Sequence, residues 1–370
     1  MICTKRKKPL ALILAFLLIC TVFSGCSNKA ATTSASPSEG METAGAQGAV
    51  RTITDMAGRT VQIPTNVTKV MGAANPDGMI LYTIDPSLMV GWTAQPSKEA
   101  AAYLDAKAAA LPKITSVSIW ESPNKEEILK INPDFILAVV DIKNVDLSMY
   151  DKISKETGVP IVIADATLTN FDKTYEFLGD ILNRKEQCGQ LASYTKKLMQ
   201  DISDTMKKIP DSDRISVYYA SGKDGLSTSG DDNWNGEFVG LAGGKNVCDV
   251  QKKNGFAQIS MEQVLKWNPS VIVQDLGGNA STVFSGNAWA DIGAVKNHKI
   301  YSVPALPFNW VDKPTGVNRL IGIKWVNSIL YPHVATYNMK SDLIEFYKLF
   351  YHYSLTEQEA ASFLNTQLNY

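Results

Sequence analysis

The segment NKEEILKINPDFIL, Asn124 to Leu137, returns 136 residues later as SMEQVLKWNPSVIV, Ser260 to Val273. A chain that writes one helix, turn and strand twice is expected to build two similar halves. The copies share Glu126 with Glu262, Leu129 with Leu265, Lys130 with Lys266, Asn132 with Asn268, Pro133 with Pro269 and Ile136 with Ile272. Asn124 and Ser260 are favoured N-cap residues, and Glu127 and Gln263, three positions on, are expected to complete capping boxes. Asn132-Pro133 and Asn268-Pro269 end each helix, because a residue before proline avoids the right-handed α region. FILAVV and VIVQ then read as buried strands. Most of the shared letters are explained this way. Glu126 and Glu262 are not, because they stand at the second helical position, where the cap no longer needs them. Each complements the positive helix terminus, worth roughly 0.3 to 1 kcal/mol. Together they also form a matched pair of carboxylates, one in each half.

Around the repeats, TKVMGAA, PDGMILYTI, LMVGW and VPIVIAD in the first half, and RISVYYA and KIYSVPAL in the second, are short apolar runs separated by helical patterns. Strands alternating with helices imply α/β halves built on parallel sheets. RTITDMAGRTVQIP reads as a β-hairpin about a Met56-Ala57-Gly58 turn. From Phe171 to Ile209 the chain is charged and helically spaced, with Leu178, Ile181, Leu182, Leu191, Leu198 and Ile202 on the apolar stripe, until Pro210 stops it. At about 1.5 Å per residue even the second half of that run can cross between two lobes. Gly243-Gly244 sits where a helix C-terminus is expected. A helix over GVNRLIGIKWVNSIL and two more, around 342–350 and 357–368, finish the chain.

The start of the chain bounds where it works. Lys5, Arg6, Lys7 and Lys8 precede about 14 apolar or small residues, Leu10 to Phe23, and then Ser24-Gly25-Cys26: a secretory signal, too short for a spanning helix. Gly25-Cys26 resembles the lipobox of bacterial lipoproteins, in which the cysteine is acylated and anchors a soluble domain to the membrane; the alternative is an ordinary signal peptide with an incidental cysteine. Ser27 to Val50 are small and polar and read as a flexible tether. Removing the leader moves the formal charge from −1 to about −5, an acidity that argues against a nucleic-acid partner. Of the remaining cysteines, Cys188 and Cys248 are expected to be small buried residues. His298, His333 and His352 lack paired spacing, so no protein-built metal site is expected. The expected domains are a signal peptide over 1–25, a tether over 26–50, a first lobe over 51–170, a helical segment over 171–210 and a second lobe over 211–370.

TITDMAGRTVQIP, the two E-x-[IV]-L-K-x-N-P copies and the central helix together resemble the helical-backbone class of ABC-transporter substrate-binding proteins, the group that captures ferric siderophores, haem and cobalamin. The resemblance runs from about Arg51 to the C-terminus. It implies two Rossmann-like lobes joined by a long backbone helix, with a ligand cleft between them, and a monomer that performs no bond chemistry. It also implies that one glutamate on each lobe pairs with permease arginines, and Glu126 and Glu262 stand at the matching positions.

Ligands of parallel sheets gather at the carboxyl ends of strands. The loops placed there contain Trp92, Trp120, Trp234, Trp289 and Asn309-Trp310, and flat aromatic walls suit a bulky metal chelate. Tyr219 ends a strand there and is expected at the cleft, although alternation makes either it or Tyr218 a core residue. Arginine is scarce outside the leader (Arg51, Arg59, Arg184, Arg214 and Arg319), which disfavours a triply charged catecholate complex; Arg319 either faces the cleft or caps a helix. Asp231-x-Asn233-x-Asn235-Gly236 opens like an EF-hand loop but has Ala242 at its twelfth position. Gly243-Gly244-Lys245 lacks the earlier glycine of a phosphate loop, and no G-x-S-x-G elbow occurs. These gaps weigh against the rival class, a secreted lipoprotein hydrolase. The expected function is an extracytoplasmic lipoprotein that delivers a metal chelate, foremost a ferric siderophore and otherwise a corrinoid or haem, to an ABC importer. It would carry no covalent cofactor beyond lipid on Cys26.

Overall fold

The computed structural model describes residues 49–118, 122–250 and 255–368, so the expectations for the signal peptide, most of the tether, Cys26 and Trp120 lie outside the described residues. The chain opens on the antiparallel hairpin β1 (Val50–Thr54) and β2 (Thr60–Pro64). Asp55 organises its turn: Oδ1 accepts from the Ala57 and Arg59 amides, and Oδ2 accepts from the Arg59 guanidinium and from the amide of Ile163. The hairpin is thereby pinned to the first sheet.

That sheet is parallel and ordered β3 (Val70–Gly72), β4 (Phe135–Val140), β5 (Ile161–Asp165). A second parallel sheet is ordered β9 (Ile300–Ser302), β8 (Val271–Gln274), β6 (Ser216–Ala220), β7 (Lys245–Asn246). Both are covered on two faces, as parallel sheets require. Ile136 and Ala138 face one cluster while Phe135, Leu137 and Val139 face another; in the second sheet Tyr218 and Ile272 separate in the same way from Val217, Tyr219 and Val273.

The repeats form equivalent pieces of these two layers. Helices α2 (Lys125–Ile131) and α6 (Met261–Trp267) bury Ile128 and Val264 on the outer faces of their sheets. Asn124 Oδ1 accepts from the Glu127 amide at 3.1 Å, and Ser260 Oγ accepts from the Gln263 amide at 3.2 Å, so the caps form as expected. The reciprocal arm of the first capping box does not form. The Asn124 amide donates to Thr115 Oγ1, and Glu127 Oε1 accepts from the Thr115 amide instead. Both helices end on asparagines in the left-handed region, Asn132 at φ 47° and Asn268 at φ 44°, where asparagine is tolerated best after glycine.

One expectation fails locally. PDGMILYTI belongs to helix α1 (Asn75–Ile84), not to a strand, with Pro76 in its first turn. Short apolar runs buried on all sides do not reveal their period, and proline at a helix start suits the missing amide hydrogen. Helices α3 (Ser148–Thr157), α4 (Phe171–Ile181) and α5 (Lys185–Met206) follow. Helix α5 is 22 residues, about 33 Å long. Its start touches the first lobe through Gln187, which donates to the Thr83 carbonyl, and its end lies against Gly243 through Met206.

Three helices close the chain: α7 (Arg319–Leu330), α8 (Met339–Phe350) and α9 (Glu357–Leu364). The buried Lys324 ammonium on α7 binds Asp201 of α5 and Asp342 of α8, each at 2.6 Å, and lies 4.4 Å over the Tyr337 ring. It ties the backbone helix to the C-terminal helices. Helix α8 and its flank also reach the first lobe. Tyr82 of α1 donates to the Tyr351 carbonyl, and Tyr347 and Phe350 pack against Tyr103, Tyr175 and Tyr194.

Candidate functional site

The C-terminal ends of β4 and β5 and the start of α1 face the loop that precedes α7. Pro76, Ile80, Val139, Leu168, Thr315 and Arg319 line the narrow space left between them, about 10 Å³, room for about one water. This is where parallel strands present ligands.

Arg319 is 2% exposed and pairs with Glu237, while its Nε has no partner. In the first turn of α1, the buried Asn75 Oδ1 is also unpartnered. Buried polar groups are nearly always satisfied, so the open Arg319 Nε–H is an unmet donor beside this space. The loop leading into Arg319 at the start of α7 is held firmly. Asn309 Oδ1 accepts from the amides of Val311 and Asp312, and the Asn318 side chain donates to the carbonyls of Asn309 and Pro314. Gly322 lets α7 approach closely, because a Cβ there would run into the Trp310 carbonyl.

A polar chain extends from this loop into the second lobe. Asp312 accepts from Asn235 and from the Tyr219 hydroxyl, and burial raises its pKa. Lys313 bonds Asp275 at 2.6 Å and lies 5.3 Å over the Phe256 ring. The sequence does not single out Asp312 or Glu237, and it offers Asn235 only as part of a failed EF-hand pattern. Their partners lie 77 to 93 residues away along the chain, and no local spacing signals such contacts.

The structure separates the remaining sequence candidates. Trp92 is fully buried between Tyr82 and Phe308 and donates to the Ala108 carbonyl at 2.8 Å. Trp289 packs edge-on against Phe284, and Trp310 against Trp325. These three indoles are packed among core rings. Trp234 is half-buried and Asn309 lies in the cleft loop. Both Tyr218 and Tyr219 are fully buried, because β6 is an inner strand with both faces covered. Burial holds both phenols well above their ordinary pKa, so neither is poised to ligate a metal as a phenolate. Glu126 and Glu262 are exposed and make no ion pair with any described residue.

Asp77, in the first turn of α1, is buried, and its carboxylate accepts from the amides of Ala74 and Val139. Burial outweighs these bonds and pushes its pKa up from 3.8 to about 7. Between those values the folded protein keeps a proton that the unfolded chain has released. The contribution of Asp77 to stability therefore falls as pH rises through this window and levels off above 7. Denaturant titrations from pH 4 to pH 8 are expected to show wild type losing about 4 kcal/mol more than Asp77→Asn, beyond any constant offset from the amide. Parallel curves would refute this.

Comparison with known proteins adds an independent line. Residues 85–306 match a family model described as periplasmic binding protein. The molybdate-binding protein MolA of Haemophilus influenzae is 26% identical over 336 residues, covering 84% of this chain and 93% of that protein. The high-affinity heme uptake protein IsdE of Staphylococcus aureus is 27% identical over 195 residues, covering 50% of this chain and 65% of that protein. Among solved structures, an ABC transporter solute binding protein from Sulfurospirillum deleyianum superposes with a TM-score of 0.78 at 28% identity, covering 85% of this chain and 98% of that one.

Proposed function

Because the chain belongs to the periplasmic binding protein family, we propose that it captures a compact, negatively charged metal species between its lobes and hands it to an ABC permease. It is a substrate-binding protein of an ABC importer. The finer reading concerns the ligand, and Arg319 carries it: a buried guanidinium with a free N–H at the lobe junction favours an anion. The chain's relative MolA is a molybdate-binding protein, which supports a metal oxyanion of that kind. The ferric siderophore expected from the sequence is the second reading, favoured by the half-buried Trp234 and by Lys313 over Phe256 at the rim. Any ligand must widen the space of about 10 Å³, and a siderophore, corrinoid or haem, being much larger, requires a far greater displacement than a compact oxyanion. Binding is non-covalent. The lipid anchor at Cys26 and the docking roles of Glu126 and Glu262 belong to the same proposal.

Tryptophan-fluorescence titration of the protein against molybdate, tungstate, a ferric catecholate, a ferric hydroxamate, haem and cobalamin tests it. Saturable change with the oxyanions supports the compact ligand. Change only with the chelates moves the assignment to them. Silence throughout, with turnover of an ester or peptide, favours the hydrolase class.

A further inference from the structure

Among the described residues four large apolar side chains are exposed: Val50 at 62%, Leu129 at 54%, Leu265 at 41% and Val250 at 39%. Two of the four occupy the same position of the internal repeat. Leu129 follows Glu126 by three residues and precedes Lys130; Leu265 follows Glu262 by three and precedes Lys266. Residues three and four apart share a helix face, and in both helices that face points away from the residue that packs inward, Ile128 or Val264. Each lobe therefore presents the same outward triplet of carboxylate, leucine and ammonium.

Helix formation does not call for leucine there, since glutamate, lysine, glutamine and arginine propagate a short helix about as well. Nor is it a core residue that has drifted outward, because both copies are exposed. What the two sites share is the neighbouring glutamate and the same place in the repeated helix of each sheet. We propose that Leu129 and Leu265 are the apolar halves of a two-point docking surface, each seating in a hydrophobic depression beside the basic group that meets Glu126 or Glu262 on one of two equivalent permease subunits. This rests on the reading of the glutamates as docking residues and adds the desolvated contact that an exposed ion pair lacks. Such pairs alone contribute little, and binding energy concentrates in buried apolar anchors ringed by polar groups.

The test measures binding of fluorescently labelled protein to membrane vesicles that contain its ABC importer. Five proteins are compared: wild type, Leu129→Ser, Leu265→Ser, the double serine variant, and the double methionine variant that keeps apolar bulk. A sixth, Glu126→Lys with Glu262→Lys, reports on the underlying reading. Thermal unfolding of all six is expected to be nearly unchanged, because the positions are exposed. Each serine variant is expected to weaken binding about tenfold, the double about a hundredfold, and the methionine variant to bind close to wild type. If the glutamate variant loses binding while the double serine variant keeps it, the leucine proposal is overturned and the glutamate reading stands. If neither variant loses binding, both fall.

Discussion

Charge reversal at both proposed docking positions, Glu126→Lys with Glu262→Lys, is expected to abolish ligand uptake while leaving the affinity of the isolated protein for its ligand unchanged. The separation follows from where the residues sit. Both side chains are exposed on short helices over the outer faces of the two sheets, whereas the cleft opens at the carboxyl ends of β4 and β5. Neither makes an ion pair with a described residue, so no internal network is lost with them. The cost to stability is that of a lysine in the first turn of a helix, about 0.3 to 1 kcal/mol at each site, against a typical total of about 5 to 15. The effect on docking is much larger, because each substitution replaces attraction with repulsion where like charges meet. Single reversals are expected to give partial loss, with one lobe still engaged. Uptake into cells and fluorescence titration of the purified protein measure the two halves of the prediction. A fall in ligand affinity, with uptake reduced only in proportion, would contradict the docking role.

Replacing Arg319 has the opposite signature. Arg319→Gln is expected to reduce ligand affinity about a hundredfold, the scale of losing two charge-assisted hydrogen bonds to a desolvated anion. The fold should survive, because Glu237, left without its partner, is a third exposed and can be hydrated. Arg319→Lys keeps the charge but loses the planar fork, and an intermediate loss is expected. Docking to vesicles should be unaffected in both. Wild-type affinity in a folded Arg319→Gln protein would remove the reason to regard the ligand as an anion.

Much of the architecture could be read before any coordinates. The repeat placed Ile128 and Val264, and Ile136 and Ile272, at equivalent points of two layered units, and alternation of strands and helices implied the parallel sheets that are found. What escaped reading depends on distance. PDGMILYTI looked like a strand because a helix buried all round has no polar face to betray its period. Glu127 left its expected capping box because Thr115, nine residues before the cap, supplied a hydroxyl to the Asn124 amide. The tryptophans were expected in cleft loops, but whether an indole turns inward depends on partners such as Ala108 for Trp92 and Trp325 for Trp310, which no local spacing signals. The pairing of Arg319 with Glu237 spans 82 residues and has no local signature.

The packing of α8 on the first lobe has a consequence for how this protein comes into being. Tyr82 reaches a carbonyl 269 residues further along, at Tyr351, and Tyr175 and Tyr194 meet the Phe350 ring. The first lobe is thus finished by a segment that lies 269 residues beyond Tyr82 in the chain. Contacts of such long reach form slowly and late. The packing of α1, α4 and α5 on α8 therefore waits until α8 has been made, and the first lobe acquires this edge of its core only then.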